Sequence, residues 1–180
     1  RWNMEKLRVD DFEIEENEWG YYFTSCIDFL EQKSELLLNY DTEEEISESE
    51  LKNILNKSLE KINTILEKAE KNKAQLMELL KEGDYINLAT KWVKWEEGGI
   101  KDDKEENCYL INGTKVYTPI TEEDFEKSMN FTEIATDIYS DGEIEILSVS
   151  LTFEPDYFVG HCIECYIEED GSFSINGLAG

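Results

Sequence analysis

Between Leu51 and Ala69 the apolar residues Leu51, Ile54, Leu55, Leu59, Ile62, Ile65, Leu66 and Ala69 recur every three or four positions, with Lys, Glu and Asn between them. That period places them on one stripe of an α-helix, and a helix that is apolar on one side only must lie on something. Ser47 and Ser49 stand where an N-cap belongs, and Glu50 and its acidic neighbours complement the positive end of the helix. The stripe breaks at residues 70–73, EKNK. Helical patterning resumes in AQLMELLKE and YINLATKWVKW, with Gly83 as the stop between them, so a helical hairpin is expected. About three heptads with a break suit packing on a sheet better than a coiled coil.

The flanking segments supply that sheet. Residues 7–40 read as short alternating runs, LRVDDFEIEE, WGYYFTSCIDFL and SELLLNY, with Asn17 and Gly20 as breakers, which predicts a meander of two or three strands. Residues 96–107, EEGGIKDDKEEN, predict a charged surface loop. Beyond it, Asn112-Gly113, Asp141-Gly142 and Asp170-Gly171 each separate alternating runs, and such dipeptides accept the positive φ of a tight hairpin turn. Thr121 caps a short helix, EEDFEKSM, with Asp124 in the place of a capping-box acid. Length, 40% hydrophobic residues and the tryptophans Trp2, Trp19, Trp92 and Trp95 are enough for one core. The expected fold is a single α+β domain over residues 1–180: a mainly antiparallel sheet, N-terminal meander plus C-terminal hairpins, packed against a helical hairpin. Strands fall near 7–40, helices near 50–96, a short helix near 121–129 and the hairpins near 131–177.

GHCIECY, residues 160–166, sets a histidine beside a Cys-x-x-Cys pair, a spacing shared by zinc ligands and redox pairs. Residues 158–168 read as one strand, and on a strand Cys162 and Cys165 face opposite sides, so they do not chelate one ion together. Cys26 and Cys108 complete no second ligand pair, and no metal or cofactor is expected. His161, the single histidine, has no fixed nucleophile or orienting acid beside it, and its ring is expected to bond a backbone carbonyl. The pairs Glu143/Glu145 and Glu13/Glu15 share strand faces and have the look of glycosidase carboxylates, but read more simply as the solvent side of a half-covered sheet. No Walker loop, dinucleotide glycine pattern or complete calcium loop is present, and no catalytic residue is assigned.

Charge is the extreme property: 43 acidic against 17 basic side chains, a formal net charge of −26. Such a chain repels nucleic-acid backbones and anionic membranes. It stays soluble, monomeric when free, and attracts a basic protein partner. The candidate contact residues are the acidic loop Glu43, Glu44 and Glu45 and the hairpin end Glu168, Glu169 and Asp170. No run approaches the roughly 18 apolar residues of a membrane span and the first residues lack a signal-peptide core, so a cytoplasmic protein with reduced thiols is expected.

ITEEDFEKSMNFTEIATDIYSDGEIEI followed by DYFVGHCIECYIEEDGSFSINGLAG resembles the C-terminal half of the bacterial family called domain of unknown function 2262. The matching positions are Thr121, Glu122, Glu123 and Phe125, then Asp141 and Gly142, then Asp156, Phe158, Gly160, His161, Ile163, Ala179 and Gly180. The N-terminal half is similar through its paired strands, long helix and Trp92. The resemblance implies an α+β domain without known catalytic residues. By analogy with small acidic bacterial proteins that lack a catalytic constellation, the leading expectation is an immunity protein that neutralises a cognate basic toxin by direct contact. A generic interaction or scaffold domain and a hydrolase using carboxylates with His161 are the alternatives.

Overall fold

The computed structural model describes residues 5–180, so Trp2 lies outside the described residues. In chain order the strands are β1 (Glu13–Asn17), β2 (Gly20–Phe29), β3 (Gln32–Asp41), β4 (Ile100–Lys101), β5 (Cys108–Ile111), β6 (Thr114–Tyr117), β7 (Met129–Asp137), β8 (Leu147–Phe153), β9 (Cys162–Ile167) and β10 (Phe173–Ala179). The helices are α1 (Glu48–Ala69), α2 (Lys73–Glu82), α3 (Tyr85–Lys94) and α4 (Glu122–Ser128). Seven strands form one sheet in the order β1-β2-β3-β7-β8-β9-β10, and β4, β5 and β6 form a small second one. Every pairing is antiparallel except β3 with β7. The domain is α+β, as its sequence pattern predicts.

Helix α1 bears out its stripe residue by residue: all eight apolar positions from Leu51 to Ala69 are buried. Ser47 is the N-cap, its Oγ accepting from the Glu50 N–H at 3.2 Å. Gly83 does end α2, but it keeps a right-handed conformation, and Asp84 takes the left-handed one (φ 63°) before α3 begins. Helices α2 and α3 pack on each other, and α2 also packs on β10. Thr121 caps α4, its Oγ1 accepting from the Asp124 N–H at 3.1 Å.

Burial alternates along the strands. In β8 Leu147, Val149, Leu151 and Phe153 are buried while Ser148, Ser150 and Thr152 are not. One face of the large sheet therefore joins the helices in a continuous core that includes Phe23, Leu36, Leu55, Ile62, Leu76, Phe131 and Phe158. Among the described residues nothing covers the other face: from Glu13 on β1 to Ala179 on β10, no outward side chain is buried. No described helix is long and apolar enough to cross a membrane.

Four local expectations need correction. Residues 7–12 contain a 3-10 turn, Val9–Asp11, and no strand, because β1 starts only where Glu13 meets Thr24. The loop 96–107 contains β4, whose Ile100 and Lys101 pair with Leu110 and Tyr109. Residues 158–161 form a turn, with Val159 and Gly160 at positive φ, so the last hairpin begins at Cys162. Glu143 and Glu145 lie outside β8, in the β7–β8 connection, and share no strand face.

Candidate protein-binding groove

The first acidic run lies at one end of the large sheet, beside the β1–β2 turn. Asn17 opens that turn by accepting the Trp19 N–H on Oδ1 at 2.9 Å, a side chain standing in for a backbone turn acceptor. The Trp19 carbonyl then accepts the Thr42 N–H at 3.0 Å, tying the turn to the end of β3. Gly20 follows because the backbones approach closely: a Cβ there would sit 2.4 Å from the Tyr40 carbonyl oxygen, at φ +144°. The backbone around Trp19 is thus held on both sides while its indole is 66% exposed.

The acidic loop is organised from the same strands. The Glu44 N–H donates to Thr42 Oγ1 at 3.1 Å, and the Ile46 N–H to the Tyr21 hydroxyl at 3.0 Å. Glu43, Glu44 and Glu45 are all exposed. With Trp19 they line a groove of about 720 Å³, to which Glu16, Glu18 and Asp41 also contribute. Among the described residues six carboxylates line it and no Lys or Arg does. Chemically the groove offers an exposed aromatic face on a fixed backbone inside a negative field, a setting for a cationic side chain.

The second acidic run is placed differently. Asp170 accepts the Ser172 hydroxyl at 2.6 Å and the Ser172 N–H at 2.9 Å, and these bonds, with Lys68 nearby, hold its carboxyl below the ordinary range. Gly171, next in the turn, lies against α1, and Asn72 Nδ2 donates to its carbonyl at 2.8 Å. Glu169 lines a cavity of about 650 Å³ together with Lys57, Lys61 and Lys68. Glu168 accepts Ser174 Oγ at 3.2 Å on the open side of the sheet. The hairpin end is therefore divided, one part beside lysines and one part on the open face, whereas the Glu43–Glu45 loop stands in an unneutralised field.

The family-motif residues build one turn and its anchor. Asp156 Oδ2 accepts the Gly160 N–H at 2.8 Å, and His161 Nδ1 lies 3.0 Å from the Phe158 carbonyl, so this nitrogen carries the proton it donates. Phe158 is fully buried against Trp92, ring centroids 6.0 Å apart, and His161 lies 5.1 Å from the same indole. Ile163 is buried, Ala179 pairs with Cys162, and Gly180 closes over His161. Phe158 and His161 hold this turn to Trp92 of α3, and the other motif residues shape the turn and the strands beside it.

Cys162 and Cys165 point to opposite sides of β9, as strand geometry requires; burial pushes the Cys165 thiol up to about 12, away from nucleophilic use. Glu143 is paired with Lys61 at 2.5 Å and Glu145 accepts the Tyr139 hydroxyl at 2.6 Å. Glu13 and Glu15 do share the open face of β1, where Tyr22 donates to Glu15. Among the described residues no group of three or more His, Cys, Asp or Glu is placed to hold a metal ion. The sequence pattern counts Trp19 and Trp95 toward the core, but both stand out of it, Trp19 at the turn tip and Trp95, 49% exposed, at the end of α3. The signal for Trp19 lay in Asn17-Glu18-Trp19-Gly20, where an Asx turn two residues ahead of the indole puts it at the tip.

These features define a single-domain α+β protein whose large sheet carries helices on one face only, with an acidic groove at the sheet's end. The chain belongs to the bacterial family described as "Uncharacterized protein conserved in bacteria (DUF2262)", whose model matches residues 12–178. No curated protein and no solved structure matches it.

Proposed function

We propose that this chain is a non-enzymatic binding protein, of the immunity type, that neutralises a basic toxin by direct contact through the Trp19 groove. The observation that carries the reading is an indole 66% exposed on a backbone held at both ends, in a groove where the described residues supply six carboxylates and no cation. An exposed apolar ring costs solubility, and a rigid aromatic is the side chain most often found at the centre of an interface. The net charge of −26 accelerates encounter with a basic surface and repels nucleic acid, which such a toxin would otherwise engage.

The test is binding to the basic protein encoded beside this chain, followed by stopped-flow kinetics over a range of salt. Glu43→Gln/Glu44→Gln/Glu45→Gln lowers the on-rate and flattens its salt dependence, with a smaller effect on dissociation. Trp19→Ala acts on dissociation. If two-thirds of an indole of roughly 250 Å² becomes buried, at most about 4 kcal/mol is at stake at about 25 cal/mol/Å²; retaining half of that as net affinity, about 2 kcal/mol, gives an expected loss of about 30-fold. Binding that strengthens as salt rises, or that ignores both variants, removes the reading.

A further inference from the structure

The strand register arranges the uncovered face in rows. Across the four central strands β3, β7, β8 and β9, one row consists of Leu37, Ala135, Ser148 and Tyr166, each paired with the next. Two positions along the strands on one side runs a row containing Glu35, Glu133, Ser150 and Glu164. On the other side lie Asn39 and Asp137, paired across β3 and β7, then Glu145, bonded through its N–H to the Asp137 carbonyl at 2.9 Å, and Glu168 beyond Tyr166. The result is a shallow trough of small and apolar groups between two acidic rails. Rows separated by four residues of strand lie about 13 Å apart, and four strands span about 14 Å. An α-helix with its side chains is about 10–12 Å wide.

The charges in the rails are not balanced within the sheet. Glu35 and Glu133 are direct neighbours across the parallel β3/β7 pair. Burial and then the Glu35 charge push the Glu133 carboxyl above its ordinary range, and burial, Asp41 and Glu145 do the same for Asp137. The single cation on this face of the described strands, Lys33, is bonded to Asp28 at 2.5 Å. Ile146 and Tyr139, beside the Asp137 rail, are 42% and 44% exposed. Like charges held together next to exposed apolar groups make a surface that a cationic, partly apolar partner relieves. A second copy of this chain, a nucleic acid or an anionic membrane would add repulsion instead.

We propose that this trough docks a short amphipathic helix of the partner protein, its apolar stripe on Leu37, Ala135 and Tyr166 and its Arg or Lys side chains reaching both acidic rails. This rests on the partner being basic, and not on the Trp19 groove. Asp41, which lines that groove, is close enough to Asp137 to raise its pKa, so the two surfaces adjoin.

The experiment uses a synthetic amidated helix of about 14 residues, about 21 Å long, with Leu and Ala on one stripe and Arg on both flanks, titrated into the whole chain by NMR. The expected shifts gather at the amides of Leu37, Ala135, Ser148 and Tyr166, and the same peptide with Glu for Arg gives none. Glu35→Gln/Glu133→Gln weakens binding by about tenfold, while Trp19→Ala leaves it unchanged. Shifts centred on the helical side or the Trp19 groove, or an unaltered Kd in the Glu35→Gln/Glu133→Gln variant, overturn the proposal. Loss with Trp19→Ala alone removes the trough and leaves the groove standing. If the whole partner ignores Trp19→Ala yet responds to Glu35→Gln/Glu133→Gln, the groove falls and the trough holds.

Discussion

Gly113 and Gly171 share a left-handed φ, +80° and +81°, in two hairpins of different loop length, and so form a pair of perturbations matched in backbone strain. Replacing either by Ala puts a side chain in the left-handed region, at about 1–2 kcal/mol. At Gly113 nothing lies within 4 Å of the new Cβ, and the cost ends there. At Gly171 the new Cβ falls 2.4 Å from Lys68 Cβ and 2.7 Å from the Ala69 nitrogen, on the last turn of α1. Helix backbone does not yield, so the β9–β10 hairpin must withdraw. It then loses the Asn72 bond to the Gly171 carbonyl, about 1 kcal/mol, and suffers overpacking of about 1–3 kcal/mol. Gly171→Ala should therefore be at least about 2 kcal/mol less stable than Gly113→Ala. Calorimetry would register this as a Tm about 4–8 °C lower, at about 2–4 °C per kcal/mol for a chain of this size. Equal melting temperatures would refute the docking of the hairpin on α1, since backbone strain alone cannot separate the two variants.

Leu59, buried on α1, should tolerate Asp least: an unpaired charge in the core adds to the loss of apolar burial, and circular dichroism should show an unfolded or strongly destabilised chain. Glu133 carries a pH signature. Its folded pKa is raised, so its ionisation opposes folding, with no penalty well below the unfolded value near pH 4 and the full penalty once pH exceeds the folded value. Glu133→Gln should accordingly raise the urea midpoint at pH 7 and have little effect near pH 3; the opposite trend would contradict the partial burial of the Glu133 carboxyl beside Glu35.

Helix α1 was legible because its burial depends on a local period and a local cap. The Asn112-Gly113 hairpin was legible for the same reason. The β2–β3 turn carried no such mark: Leu30 and Glu31 take φ of 49° and 66°, conformations that neither residue favours, imposed by the long pairing from Gly20↔Asp41 to Phe29↔Gln32. The parallel partnership of β3 with β7 left no trace in either strand, because it joins segments that meet only after every helix has been made. The rows of the open face depend on that register, so the Glu35/Glu133 neighbourhood could not be read ahead of the structure. At the groove, the run Glu43–Glu45 was visible as composition, whereas the prominence of Trp19 depended on bonds to Asn17 and Thr42.

The β3/β7 seam also sets a schedule for synthesis. The meander β1–β3 emerges from the ribosome long before the strand that will cover its inner edge, and about 5–20 s pass between Asp41 and Asp137 at roughly 5–20 residues per second. Throughout that interval β3 presents bare backbone donors and acceptors, the template on which nascent chains stick to one another. The carboxylates at Glu13, Glu15, Glu16, Glu18 and Glu35, and the run from Asp41 to Glu50, have by then already been made. Their mutual repulsion opposes contact between neighbouring unfinished chains until β7 arrives.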